Sequence, residues 1–463
     1  MKRFTVTKLI HQAGGRLAKN RSYLKALWSP LGSRMARGTF WTLAGTIVSR
    51  FFTLIASIFL ARLLGKKGFG ELGVIQSSVG ILGALAGFGQ GVTATKYVAE
   101  LRLSNPTRAG KIIALSTVSA GSIGALSMTA LVLSAPWLSE RVLAAGHLGR
   151  ILQVAAIIPF LTALSGSQVG SLVGLEAFRT IASVTVAAGL VSFCLVLIGA
   201  YWGGLQGVVG GLIIAESAAF LLNHLALRQE LAKADMRVRY STLFQEVRIL
   251  WNFSLPAVLA GSMVGPISWI CTAILANQPE GYAEIGVYTA ANQWFSAVLI
   301  LPGVLAQVVL PILCERVAAG DRGRSARILK ASIGVSTLVM GPMILVGCIF
   351  SRKIMSSYGG GFVKGWLTLV VVLATAGLFG VATLVGEIIP ARGNMWLGFA
   401  MNSGWGVIFL AGTLVLAKWG ALGLAMARFV AYVCHGIWTF GFAYRALAQE
   451  RKVSEMREID VPI

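Results

Sequence analysis

Long apolar runs alternate with short polar connections from Gly38 to Ala443. A helix rises ~1.5 Å per residue, so about 20 apolar residues cross a ~30 Å hydrocarbon layer. On that measure the chain predicts twelve spans, at roughly 38–64, 70–95, 110–134, 150–175, 180–202, 205–227, 249–275, 284–311, 327–350, 363–389, 395–417 and 421–443. The first run is too long for a secretory signal and no A-x-A site follows it. Within it, "AGTIVSRFFTLIASIFLARLLG" (Ala44 to Gly65) carries Arg50 close to mid-depth. A charge there costs ~2.5–3.5 kcal/mol on insertion scales, so it needs water, a counter-charge or an anionic ligand.

Composition supports the pattern. Of 463 residues, 56% are hydrophobic and only 12% charged, which excludes ordinary soluble classes. Fifty-five glycines suit helices that approach closely in lipid. The cysteines (Cys194, Cys271, Cys314, Cys348, Cys434) form no CxxC pair and read as small apolar residues inside spans. The four histidines have no metal-ligand spacing. No nucleotide, haem, zinc, hydrolase or kinase signature is present, so no metal, cofactor or catalytic residue is expected, and the chain is not read as an enzyme.

The connections set the orientation. Alternate connections, with both tails, hold 29 Lys and Arg; the other set holds nine (Arg62, Lys66, Lys67, Arg141, Arg150, Arg352, Lys353, Lys364, Lys418). Positive charge concentrates on the cytoplasmic side, so both termini are expected there. This asymmetry accounts for the net charge of +23 without any nucleic-acid partner. In the basic tail, Leu24, Leu27, Trp28 and Leu31 follow helical spacing. That segment reads either as an interfacial helix on anionic membrane lipid or as a solvated tail.

The chain also repeats itself. "GELGV" (Gly70 to Val74) opens the second span and "AEIGV" (Ala283 to Val287) opens the eighth; each is followed by a glutamate (Glu100, Glu315) and a basic loop. An even number of spans separates the copies, so they share an orientation. The expected fold is therefore an all-α integral membrane protein with about twelve transmembrane helices in two parallel six-helix halves around a central cavity. The divisions are a basic N-terminal tail at 1–37, halves at 38–227 and 249–443, a linker at 228–248 and a tail at 444–463.

"GTFWTLAGTIVSRFFTLIASIFLARLLGKKGFGELGV" resembles the start of the polysaccharide-biosynthesis flippases, the Wzx-type branch of the superfamily that includes MATE-type extruders. "FSLPAVLAGSM" and "EIGVYTAANQWFSAVLILPGVLAQVVLPILCE" resemble their second-half opening. Ser49 and Arg50 are similar to a Ser-Arg pair in the first helix of lipid II flippases. Where relatives often carry Pro-Glu-Glu, this chain has Lys66, Lys67 and Gly68, which reverses the charge of an external turn. The resemblance implies export of an undecaprenyl-pyrophosphate-linked oligosaccharide from the inner to the outer leaflet of the bacterial cytoplasmic (inner) membrane. It also leaves room for glycan polymerase or assembly proteins as partners.

Such a substrate requires cations and a polar lumen. Thr42, Thr46, Ser49, Thr53 and Ser57 make a polar stripe that Arg50 borders, so Arg50, Thr46 and Thr53 are candidate substrate contacts. Arginine suits pyrophosphate because its planar fork donates to two oxygens at once. The competing reading is an ion pair between Arg50 and Glu216. Arg428 in the last span either binds substrate or snorkels to the outer interface. Gln293 and Asn402 are softer polar candidates beside Trp294 and Trp405. Glu216, mid-span, is a coupling candidate; Glu387 reads as an interfacial charge. Pro256, Pro266 and Pro302 can kink their helices.

A cation-coupled multidrug extruder of the same fold is the main alternative. Those proteins favour intramembrane acids, whereas the first helix here carries Arg50 and no acid. A membrane polysaccharide polymerase or ligase is the second; it would need a long external catalytic loop, and the external connections here are short. A scaffolding role in a glycan-assembly complex remains open.

Overall fold

A computed structural model describes residues 30–240, 263–306, 322–392 and 394–459, together with Val309 and Leu313. The amphipathic reading of the N-terminal tail, Pro256 and Glu315 lie outside these. Among the described residues every regular element is helical. The main helices are α1 (Pro30–Leu101), α2 (Pro106–Trp137), α3 (Leu148–Ala155), α4 (Ile157–Gly174), α5 (Phe178–Lys233), α6 (Val264–Ala276), α7 (Gly281–Val298), α8 (Arg322–Ile349), α9 (Ser351–Ser357), α10 (Trp366–Gly386), α11 (Ile388–Ala391), α12 (Met395–Leu416) and α13 (Gly420–Ile459).

Seven described helices are long and apolar enough to cross a membrane, or eight if a bent pair counts as one span. Three are far too long for one crossing: Phe40–Leu101 has 62 residues, Phe178–Lys233 has 56 and Trp396–Ala446 has 51. Each is interrupted at a glycine with positive φ: Gly65 (70°), Gly204 (53°) and Gly420 (64°). L-residues with a side chain rarely adopt this conformation, so glycine lets the chain reverse in a tight turn. Each long helix is thus two crossings, an arrangement consistent with the twelve predicted spans. The bent pair, Gly281–Val298 with Ile300–Ala306, turns by 44°. Pro302 lies just beyond the break and has no N–H for the carbonyl of Val298, so the kink expected of this proline is present.

The predicted linker at 228–248 starts later than expected. Helix α5 continues to Lys233, and the chain then lies along the start of α2, where Met236 is buried and a Cβ on Gly110 would meet the carbonyl oxygen of Arg237 at 2.1 Å. Likewise α13 runs through most of the predicted C-terminal tail, to Ile459.

The two ends of the molecule are packed differently. At the end carrying the Gly65, Gly204 and Gly420 turns, one apolar cluster joins Leu60, Phe69 and Leu72 to Val287, Tyr358 and Phe362. Another joins Ile75, Leu148 and Leu152 to Leu275, Tyr282 and Trp405. Both clusters therefore draw on the first and second halves of the chain. At the opposite, basic end the clusters separate: Val98, Ile113, Leu172 and Met236 in one half, and Leu313, Leu329, Ile388 and Ala446 in the other.

Hydrogen bonds repeat the asymmetry. Tyr282 Oη donates to the Leu143 carbonyl at 2.7 Å, Asn277 Nδ2 to the Val142 carbonyl at 2.7 Å and Arg62 Nε to the Ser357 carbonyl at 2.6 Å. At the basic end the described polar links, such as Arg102 to the Leu175 carbonyl and Arg392 to the Ala446 carbonyl, stay within one half. Close backbone approach makes the seal possible. A Cβ on Gly70 would lie 1.8 Å from the Tyr282 carbonyl oxygen, and one on Gly286 2.2 Å from that of Lys66. In lipid such small-residue packing supplies the association that apolar burial cannot. Among the described residues, the halves are sealed at one end and parted at the other.

Candidate functional site: a two-chambered cavity between the halves

Two chambers lie inside the bundle. The first, about 330 Å³, is lined by Ser49, Thr53, Ser57, Gln76, Thr185, Ser192, Glu216, Asn223 and Gln293, with apolar residues between them. The second, about 430 Å³, lies between the halves and is lined by Gln76, Ser77, Ser268, Trp269, Thr272, Tyr288, Thr289, Asn292, Gln293 and Arg428. Gln76 and Gln293 line both, so the chambers meet at these two amides. Carboxamides and hydroxyls both donate and accept, and such a wall suits a hydroxyl-rich ligand. Trp269 presents a large face to the second chamber and donates its indole N–H to Ser78 Oγ at 2.8 Å, which fixes the ring across the boundary between halves.

Arg428 is the charged group of the second chamber. Its Nη1 donates to Asn292 Oδ1 at 2.7 Å and to Tyr288 Oη at 3.1 Å. Its Cζ lies 4.0 Å from the Phe295 ring centroid and 5.7 Å from that of Tyr432. Its Nε is buried without a hydrogen-bond partner. Among the described residues no carboxylate pairs with it. Tyr288, Asn292 and Phe295 recur at helical spacing along α7, so one face of that helix supplies three sides of the cradle. The arginine is therefore held by neutral groups and aromatic faces, with its positive charge uncompensated. Snorkelling to the interface, the competing expectation, is not what the side chain does.

The first helix divides its polar stripe. Ser49 and Thr53 stand in the wall of the first chamber, where Ser49 abuts Gly189 of α5. Thr46 is outside both chambers and donates back to the Thr42 carbonyl at 2.8 Å. Arg50 is exposed and lines neither chamber; its neighbours Ile47 and Phe51 are 49% and 59% exposed. The reason is helical geometry: Arg50 is one residue, roughly 100° of rotation, from the chamber-lining Ser49. It sits on the rim between the polar wall and the apolar outer face. The alternative ion pair with Glu216 is absent among the described residues: Glu216 lines the first chamber and Arg50 does not.

Asn402 belongs to a separate cavity of about 260 Å³ inside the second half, beside Phe379, Thr383, Met401, His435 and Thr439. Glu387 caps the end of α10, away from both chambers. Gln76, Trp269 and Tyr288 were missed from the sequence. The 288/292/295 stripe of α7 and the lone amide of Gln76 in an apolar run were the available signals. No cluster of three or more His, Cys, Asp or Glu able to hold a metal occurs among the described residues.

The comparisons with known proteins bear on this architecture. The sequence pattern described as "Polysaccharide biosynthesis protein" matches residues 35–316, more than half of the chain. The chain belongs to this family. It is 28% identical over 402 residues to "EPS I polysaccharide export inner membrane protein EpsE" of Ralstonia nicotianae, covering 85% of this chain and 89% of that one. In fold it is similar to the inward-facing structure of a multidrug resistance MATE family transporter of the MOP superfamily, with a TM-score of 0.76 at 12% identity over 89% of this chain and 99% of that chain. An outward-facing MATE structure gives a TM-score of 0.62 at 13% identity over 90% and 96% of the two chains. The protein is thus a polysaccharide biosynthesis family member with multiple membrane-spanning helices, and its fold is like that of the MOP-superfamily transporters.

Proposed function

We propose that this family member carries an undecaprenyl-pyrophosphate-linked oligosaccharide from the inner to the outer leaflet of the bacterial cytoplasmic membrane, for surface or exopolysaccharide assembly. The two halves, 38–227 and 249–443, move against each other by alternating access. The basic end is cytoplasmic, so the state described above is open to the cytoplasm and sealed outside. The observation that carries the reading is Arg428: a guanidinium with no carboxylate partner, held by neutral groups in a chamber of amides and hydroxyls. A pyrophosphate supplies the missing negative charge, and the glycan finds donors and acceptors at Gln76, Gln293 and Thr289.

Arg50 fits the same transport cycle from the rim. A substrate whose head occupies the cavity and whose tail stays in lipid must pass between helices. A cation between the polar wall and the exposed apolar face would meet the pyrophosphate on that path, with Thr53 beside it. Glu216, the acid of the first chamber, is the coupling candidate. The named relative's export role agrees with this direction of transport, and a glycan polymerase or other assembly protein would receive the product.

The second reading, a cation-coupled multidrug extruder, is favoured by the likeness in fold to multidrug MATE transporters and by Glu216 in its chamber. One experiment separates them. Deleting the gene should abolish surface polysaccharide and leave lipid-linked oligosaccharide on the cytoplasmic side, with no change in sensitivity to cationic drugs. Normal polysaccharide with raised drug sensitivity would reverse the assignment.

A further inference from the structure

The charge-reversed turn of the first half has a structural counterpart. Lys66 and Lys67 follow Gly65, and Arg62 lies one turn before them. In the second half, α9 and the turn Gly360–Gly365 carry Arg352, Lys353 and Lys364. The two groups meet across the sealed end: Arg62 donates to the Ser357 carbonyl at 2.6 Å, and the Lys66 stem lies 3.4 Å from where a Cβ on Gly361 would be. All but Lys66 are exposed, and none of the six forms an ion pair with a described residue. This end is also the side that charge bias places away from the cytoplasm, where clustered cations are disfavoured unless something neutralises them.

The surroundings identify the neutralising group. Exposed apolar side chains sit at the same level: Phe59 (47% exposed), Leu63 (50%), Ile349 (66%) and Phe350 (50%). The Arg352 guanidinium lies 4.8 Å from the Trp366 ring centroid, an aromatic of the kind that marks the boundary between headgroups and acyl chains. Cations bordered by lipid-facing apolar residues stand at headgroup depth. An acidic glycan in solvent would have no use for those apolar neighbours.

We infer that Arg62, Lys66, Lys67, Arg352, Lys353 and Lys364 form a binding surface for anionic phospholipid headgroups. Because the sealed end brings the cations of both halves together, bound lipid favours the sealed state. Anionic lipid composition thereby regulates the conformational equilibrium, independently of which substrate the central cavity takes.

The test uses the full chain in nanodiscs with benzoylphenylalanine replacing Phe350. Photocrosslinking is compared between phosphatidylglycerol and phosphatidylcholine. Phosphatidylglycerol should be captured preferentially, and Lys67→Glu with Lys353→Glu should reduce its capture about fivefold or more without altering phosphatidylcholine capture. Both lysines are exposed and no described hydrogen bond or ion pair involves their ammonium groups, and Lys364→Glu provides an independent second variant. In a background free of the five native cysteines, a cysteine at Ser357 should become less accessible to an impermeant maleimide as phosphatidylglycerol is raised. Equal capture of the two lipids, undiminished capture in the variants, or displacement of the lipid by a soluble acidic oligosaccharide would overturn the lipid assignment. Maleimide access independent of lipid composition would overturn the regulation.

Discussion

Arg428 donates to Asn292 at 2.7 Å from one side of a chamber that contains no described carboxylate to balance it. The pair joins the last helix of the second half to the one that opens after its first turn, and both side chains face the space between halves. Substituting Arg428→Ala removes the uncompensated charge. Surface polysaccharide should fall about tenfold or more, the loss expected when one hydrogen bond from a charged group is removed (~1.5–3 kcal/mol). Arg428→Lys should keep part of the activity, since charge survives without the planar fork. Membrane levels of each variant, measured by blotting, should match wild type; wild-type polysaccharide from a well-expressed Arg428→Ala would remove Arg428 from the substrate path.

Arg50 provides a graded contrast. On the rim it meets substrate only in passage, so Arg50→Ala should slow export while leaving affinity for a pyrophosphate headgroup at the central cavity unchanged. Kinetics in vesicles separate the two. A loss of affinity equal to that of Arg428→Ala would place Arg50 in the binding chamber instead.

How much of this was legible in the chain is clear from these two arginines. The apolar runs and the repeated openings at Glu71 and Glu284 carried the all-helical, two-half plan, because span length and alternating charge are properties of the chain itself. The polar stripe of the first helix was legible too, and Ser49 and Thr53 do line a chamber. What a stripe cannot say is where its edge falls: one residue of rotation separates Ser49 in the wall from Arg50 on the rim. The cradle of Arg428 was hidden for a related reason. Its hydrogen-bond partners stand well over a hundred residues away on α7, and only packing of the second half brings Tyr288, Asn292 and Phe295 round it. Asn402 was a plausible polar candidate by depth alone, yet packing assigns it to a different cavity.

The seal between halves rests on glycine. A methyl group at Gly70 would collide with the Tyr282 carbonyl oxygen, which is backbone and cannot rotate away. Gly70→Ala should therefore pry the sealed end open. A cysteine introduced at Ser357 should become more accessible to an impermeant maleimide in that variant than in the parent. Unchanged labelling would show that the seal does not depend on this approach.

Glu216 faces the first chamber without a described partner. If it carries the coupling proton, Glu216→Gln should transport at a rate that no longer responds to an imposed pH gradient, while wild type does. Measuring uptake into vesicles across a range of external pH decides this. An unchanged response would assign coupling elsewhere.

Orientation is tested by reporter fusions. One placed after Glu280 should report outside the cytoplasm and one after Asp321 inside it, as the 29-to-9 charge division requires. The reverse pattern would turn the open end of the cavity outward and invert the direction of transport.

The central claim is movement of a pyrophosphate-linked glycolipid through the cavity between halves. Its most direct measurement is transbilayer movement of an undecaprenyl-pyrophosphate oligosaccharide in proteoliposomes, read by an impermeant glycan-modifying enzyme. Wild-type protein should expose the glycan at a protein-dependent rate that Arg428→Ala lowers about tenfold. Glycolipid movement no faster than in protein-free liposomes, with active transport of a cationic drug by the same preparation, would contradict the account.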